Sequence, residues 1–348
     1  MNRAYINSTR MKKDNHMNRR LTYILTLLSL SFLLGSCDDE IVLIGESVTK
    51  LSNDCIKRTL PYAPNIAGEE IEFAYAMALP ADLGKLTSAQ VVASIPGADG
   101  TRFDPNSYHT NASGVDIPVR VASESTTSGS TTSIQFTVDT CASTLRYYYV
   151  VPEQAKGQEI TFTFSVKASN GQTAEYKMGP YKISKMDMTR NVTLSNGANC
   201  YLSFQEESQA VKVYSASEVA ANPSLVSKID IVYAYNSNAD LTHGFFAAGS
   251  PEAYRPGVVF PSGFSNQTKL IKEYGLRDRQ LSNLQYSHFI DDLDFQELSM
   301  EGAQNYILVL KEEGGAWIET GDGRYRAFVF VNSAPANGLT ISVKRYKM

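Results

Sequence analysis

The chain has 348 residues, 43% hydrophobic and 20% charged, a composition that suits globular folding and excludes wholesale disorder. Its formal net charge is −4 and no basic stripe runs through it, which argues against a nucleic-acid partner. Twenty tyrosines stand against a single tryptophan, Trp317, and tyrosine favours half-buried strands, so the expectation is β structure.

Residues 21–34 form an apolar run behind a basic stretch that holds Lys12, Lys13, Arg19 and Arg20. Leu34-Gly35-Ser36-Cys37 follows at once. Basic, then a short apolar core, then small residues is the layout of a secretory signal, and the run is too short for a stable membrane span. The cysteine at the cleavage point resembles a bacterial lipobox. In that layout residues 1–36 are removed and the Cys37 thiol carries the lipid, with Met1, Met11 or Met17 as the starting residue. The alternative is an uncleaved anchor helix with Cys37 as a bystander. Multiple acyl chains bury enough methylenes for durable anchoring where one chain does not. Asp38, Asp39 and Glu40 come next and look like the acidic tag that sends lipoproteins of the Bacteroidetes to the outer face of the outer membrane. The expected location is the outer membrane, lipid-anchored and facing the cell exterior.

Residues 37–68 read as a lipidated tether and lead-in that ends in the turn-rich Pro61-Tyr62-Ala63-Pro64-Asn65. Ile71, Phe73, Tyr75 and Met77 then alternate with Glu72, Ala74, Ala76 and Ala78, a period of two as in a strand, and Pro80 stops them. Further strands are expected at 91–95, at 115–121 (Pro118 marking an edge), at 134–138 and at 147–151. Residues 160–168 and a return run through Tyr176 and Met178 flank Asn170-Gly171, which suggests a type I′ hairpin. Seven or so short strands over 69–184 fit an immunoglobulin-like β-sandwich. The polar segment 123–133 reads as a mobile hairpin tip.

A linker is expected over 185–191, and a second domain over 192–348. There Ser215 and Glu218 have capping-box spacing at the start of a helix whose Val219, Leu225 and Val226 face inward. Residues 228–235 alternate as a strand, 242–268 read as long loops, and 272–284 suggest a second helix. Strands at 306–310, 316–320, 325–331 and 339–346 close the domain. The fold class is mainly β: an immunoglobulin-like β-sandwich, then a second β-sandwich or jelly-roll-like domain with two short helices.

Beyond Cys37 three cysteines remain, Cys55, Cys141 and Cys200, an odd number that permits one disulfide or three small buried residues. Residues 53–58, 71–80, 275–278, 289–295 and 341–346, taken in order, resemble an uncharacterised family of two-domain Bacteroidales surface lipoproteins. The resemblance implies two β-rich domains behind a lipid anchor and brings no activity with it.

Catalytic signatures such as Gly-x-Ser-x-Gly, His-Glu-x-x-His or a phosphate-binding Gly-Lys-Ser/Thr loop do not occur, and His109, His243 and His288 fall in separate segments. The chain therefore reads as no enzyme and needs no cofactor. Asp291, Asp292 and Asp294 form the densest carboxylate group. They read as a helix N-terminus with Asp292 as cap, or as two or three oxygens for Ca2+. Tyr147, Tyr148 and Tyr149 are consecutive, so at least one points away from the core. Exposed aromatic faces stack on sugar rings, and Trp317, Tyr325, Tyr254 and Tyr286, with Arg277 beside them, are the candidates for such a platform in the second domain. The reading is a non-catalytic surface lipoprotein that binds extracellular glycan through its C-terminal domain. The alternative is an adhesive or structural protein whose partner is an outer-membrane or surface protein.

Overall fold

The computed structural model describes residues 49–207, 209–282 and 288–348. The expected signal peptide 1–36, Cys37, the acidic residues Asp38, Asp39 and Glu40, and Tyr286 lie outside the described residues. No helix among the described residues is long and apolar enough to cross a membrane.

The fold is mainly β, with two sandwiches in one compact unit. The first sandwich is built from β1 (Ser52–Lys57), β2 (Glu70–Ala78), β3 (Leu86–Ala93), β4 (Arg102–Thr110), β5 (Asp116–Arg120), β6 (Thr126–Ser128), β7 (Thr131–Gln135), β8 (Ala142–Val150), β9 (Glu159–Ala168) and β10 (Thr173–Lys182). One sheet has the order β1-β2-β8-β4-β5 and the other β10-β9-β3-β7-β6. Period-two alternation decides what lies between them. Phe73, Tyr147 and Tyr149 from the first sheet meet Phe162 and Phe164 from the second. Phe73 lies 4.9 Å from Phe162 and Tyr149 is edge-on to it at 4.9 Å, the tilted geometry that aromatic rings prefer. Tyr148, between its two buried neighbours, turns to the outer face under the Arg102 guanidinium.

Four features of this part of the chain differ from the sequence reading. β1 pairs with β2 from Ser52↔Ala78 to Lys57↔Phe73, so the sandwich begins inside the expected tether. Cys55, the residue that gives this strand its place in the core, stands between Asp54 and an exposed Ile56, so the strand shows no visible alternation of apolar and polar residues. The hairpin at Asn170-Gly171 is not type I′, because only Gly171 has positive φ (85°). The Gly171 N–H donates to Ala168 O and the Ala168 N–H to Gln172 O, which makes a three-residue loop closed by glycine. The polar segment 123–133 folds into the β6–β7 hairpin, with Thr132 buried and Thr127 Oγ1 donating to Thr101 O. Finally, the expected linker is absent: Ser184 and Met186 are buried, and the next strand starts at Asp187.

The second sandwich comprises β11 (Asp187–Ser195), β12 (Asn199–Ser203), β13 (Lys212–Ser215), β14 (Ile231–Ala234), β15 (Gly244–Phe246), β16 (Lys269–Tyr274), β17 (Tyr306–Ile307), β18 (Gly314–Glu319), β19 (Tyr325–Ser333) and β20 (Gly338–Lys347). Its sheets run β11-β20-β19-β18-β16 and β13-β12-β14-β15-β17. The first of these is buried on both faces, which explains the unbroken apolar run Ala327-Phe328-Val329-Phe330-Val331 in β19. Val329, Val331, Ile341 and Val343 face the partner sheet, whereas Phe328, Phe330, Trp317 and Tyr346 face the opposite way into a second cluster.

Helix α1 (Ala216–Ala221) carries the expected capping box, with the Glu218 N–H on Ser215 Oγ and the Ser215 N–H on Glu218 Oε2. A 3-10 turn (Pro223–Lys228) follows, and Val219 and Val226 seat both over the outer face of the sheet. The described part of the helix expected over 272–284, residues 272–282, is instead the end of β16 and a loop. Leu270 and Ile271 point to opposite faces of the sheet, into different clusters, and Gly275 (φ 78°) ends the strand. The second short helix is α2 (Asp292–Glu297).

Candidate functional site

The two sandwiches share side chains rather than meeting at a bare hinge. Ile66, from the β1–β2 connection, is fully buried among Met186, Leu281, Ile290, Phe295 and Phe330 of the second sandwich. Around this plug run polar links. Arg190 grips Glu69 with both Nη atoms, at 2.9 and 2.7 Å, and Gln280 Nε2 donates to Pro64 O at 3.0 Å. Asp187 accepts from Lys156 of the first sandwich and from Arg345, whose guanidinium also bonds Phe204 O and Glu206 O. Behind the seam the loop that leads to α2 is fixed by a wholly buried ion pair, Lys344 Nζ to Asp278 Oδ2 at 2.6 Å.

On one side this seam opens into a cleft of about 320 Å³. Ligand sites concentrate at such junctions, where two bodies supply different chemistry to one concavity. Its apolar surface comes from Pro61, Tyr62, Pro64, Pro180 and Tyr181. Tyr62 is 89% exposed, so its ring has no part in the core. Tyr181 presses one side against Phe73 and Phe162 and carries Lys57 Nζ at 5.5 Å from its ring centre. Burial lowers the Lys57 ammonium from its ordinary value and raises the Tyr181 phenol. Lys57 donates to Asn65 Oδ1 at 2.9 Å, and the Asn65 amide in turn donates to Lys182 O. The opposite wall is the start of α2, with Asp291, Asp292 and Leu293.

The carboxylates on that wall are already engaged. Asp291 caps α2, accepting from the Leu293 and Asp294 N–H groups, and Asp294 Oδ2 returns a capping-box bond from the Asp291 N–H. Asp292, expected as the cap, is buried instead and accepts from Ser184 Oγ and the Lys185 N–H. The three carboxylates point into different bonds, two in the helix cap and one on Ser184 and Lys185. No group of three metal-ligating side chains occurs among the described residues.

Among the described residues, the members of the aromatic platform expected in the second domain do not come together. Trp317 is buried against Phe295 (5.5 Å) and Phe328 (4.7 Å), because it sits on the doubly covered sheet. Tyr325 is buried beside the Arg345 guanidinium. Tyr254 is partly exposed but stacks on Tyr306 at 4.7 Å, far along the chain from the seam. Arg277 pairs with Glu313 at the surface. The structure brings none of these together. The cleft residues Lys57, Tyr62, Asn65 and Tyr181 were missed, although Pro61-Tyr62-Ala63-Pro64 carried a signal: an aromatic ring between two prolines cannot join a strand ladder.

The histidines stay apart as well. His109 lies on β4, His288 precedes α2, and His243 is buried with its Nδ1 3.0 Å from Tyr233 Oη, its pKa lowered by burial. No histidine lines the cleft. Cys55, Cys141 and Cys200 are free thiols, and burial raises Cys200 to about 11.

A family model described as a domain of unknown function, DUF4466, matches residues 48–183, and a second, DUF8576, matches residues 184–348. The shared boundary coincides with the passage between the sandwiches. A crystal structure of a DUF4466 family protein from Parabacteroides merdae is 64% identical, covers 86% of this chain and 100% of that one, and superposes with a TM-score of 0.85. The major pilin subunit of Bacillus cereus (14% identity, 57% of this chain and 58% of that chain) and a fragment of the major pilin of Streptococcus agalactiae (16%, 61% and 89%) both reach a TM-score of 0.28, too low to bear on fold or function. No curated protein matches the chain.

Proposed function

The chain belongs to the DUF4466 family, and we propose that it is a non-catalytic lipoprotein, anchored through Cys37 at the outer membrane and facing the cell exterior, that binds extracellular glycan. Its site is the cleft between the sandwiches rather than the second domain alone. The observation that carries this reading is Tyr62: a large ring, almost wholly exposed, held on the rim of a concavity beside Pro61, Pro64 and Pro180. A ring that buries nothing on folding is free to bury something on binding, and sugar rings offer flat C–H faces to such a surface. Lys57, Asn65 and Lys182 stand next to it as donors to hydroxyl or acidic groups. The leader and the acidic residues after Cys37 support the tether and the outward location.

A glycan array probed with the full chain tests the proposal. Saturable binding is expected to some polysaccharide, weakened about tenfold or more by Tyr62→Ala, the effect of about 1.4 kcal/mol from one lost stacking contact. Flat responses across the array, together with stoichiometric capture of one surface protein from intact cells, would favour the adhesive alternative.

A further inference from the structure

We infer that the ligand of the cleft carries negative charge: an acidic saccharide, with a carboxylate or sulfate group seated against Lys57 and Lys182. This rests on the reading of the cleft as a glycan site and narrows its substrate class. The argument is one of an unpaired cation. Lys57 is half-buried, and its ammonium meets one neutral oxygen, Asn65 Oδ1, with burial as the only cause lowering its pKa and no acidic side chain opposing it. An ammonium has three donors, so two remain for a ligand. Lys182 also lines the cleft and is exposed, and although Glu159 lies opposite it in the sheet register, no carboxylate is within ion-pair distance of it among the described residues. The carboxylates across the cleft cannot supply the missing partner. Asp292 is turned to Ser184 and the Lys185 N–H, and Asp291 and Asp294 are tied into the helix cap.

Several other cations at the seam are neutralised: Arg190 by Glu69, Lys156 and Arg345 by Asp187, Lys344 by Asp278. A cation kept partly out of water without a counter-charge costs free energy, and an incoming anion recovers it through charge-assisted hydrogen bonds. Tyr62 then supplies the face for the sugar ring while the lysines hold its acidic substituent.

The test is affinity electrophoresis of the full chain, purified in detergent, through gels containing polygalacturonate, fully methyl-esterified pectin, dextran sulfate or dextran. Retardation is expected with polygalacturonate or dextran sulfate, and which of the two retards separates carboxylate from sulfate as the recognised group. Lys57→Met, which keeps the aliphatic stem over Tyr181, should weaken that retention at least about tenfold, Lys57→Arg should keep most of it, and exposed Lys182→Met should weaken it without any risk to folding. Tyr62→Ala should weaken it as well, which distinguishes a site from general attraction to polyanions. Retention that is indifferent to both lysines, or confined to the neutral polymers, overturns the inference. If Tyr62→Ala still abolishes that neutral binding, the cleft survives as a glycan site and only the charge assignment falls. No retention in any gel sinks both.

Discussion

Removing either partner of the buried Asp278–Lys344 pair should destabilise the second sandwich, and unequally. Asp278 accepts from the Gln280 and Leu281 N–H groups on Oδ1 and from the Ile290 N–H and Lys344 Nζ on Oδ2. Lys344 donates also to Gln280 Oε1 and Ile290 O. Asp278→Ala strands an ammonium and several backbone donors in a site without solvent, and breaking such a pair from one side costs about 3–5 kcal/mol. Lys344→Met fills the same volume and leaves the carboxylate its backbone donors, so about 2–3 kcal/mol is expected. Once Asp278 is gone the ammonium is a liability, so Lys344→Met in the Asp278→Ala background should cost nothing further. The coupling in the double-mutant cycle should therefore be about 2 kcal/mol or more. Urea unfolding followed by the fluorescence of Trp317, the single tryptophan, reads this directly because that ring lies in the cluster the pair supports. Strict additivity, or a cost under about 1 kcal/mol for Asp278→Ala, would refute the reasoning.

Three further outcomes are expected. Burial raises the Asp230 carboxyl to about 6 despite N–H donors from Phe204 and Gln205, so its contribution favours folding below the unfolded value near 3.8 and is lost as pH rises through 6. The stability of Asp230→Asn relative to wild type should thus climb between pH 4 and 7, by at most about 3 kcal/mol, and a flat difference in urea titrations would contradict this. Ile66→Ala should cost about 2–5 kcal/mol and split one calorimetric transition into two, because Ile66 plugs the second sandwich from the first; a single transition at a merely lower temperature would show that the plug does not couple them. In cells fed labelled palmitate the wild-type chain should carry label in the membrane fraction and Cys37→Ser should not, and equal labelling of both would remove Cys37 as the anchor.

Much of the architecture was legible because strands announce themselves by alternation. Residues 71–78, the two strands on either side of Asn170-Gly171, and the box at Ser215 and Glu218 folded as their spacing implies. Alternation failed wherever burial was not one-sided. β19 shows a continuous apolar run because both its faces are covered, and β16 splits Leu270 and Ile271 between two clusters, so its short, charged sequence imitates a helix. The same cause misled the site reading. Trp317 was a candidate for an exposed platform because a single strand does not disclose that a helix and a neighbouring domain lie over its outer face. The cleft was illegible for a different reason: Lys57, Tyr62, Tyr181 and Asp291 are scattered along the chain and converge only after two sandwiches pack around Ile66.

The most direct test uses intact cells. Cells displaying the wild-type chain or Tyr62→Ala are matched for surface antibody signal and exposed to fluorescent polygalacturonate and dextran sulfate. Wild-type cells should bind one of these polymers and the variant should lose that binding at unchanged display. Equal binding by the two, or antibody signal that appears only after the cells are broken, would contradict an outward-facing glycan site at the junction of the sandwiches.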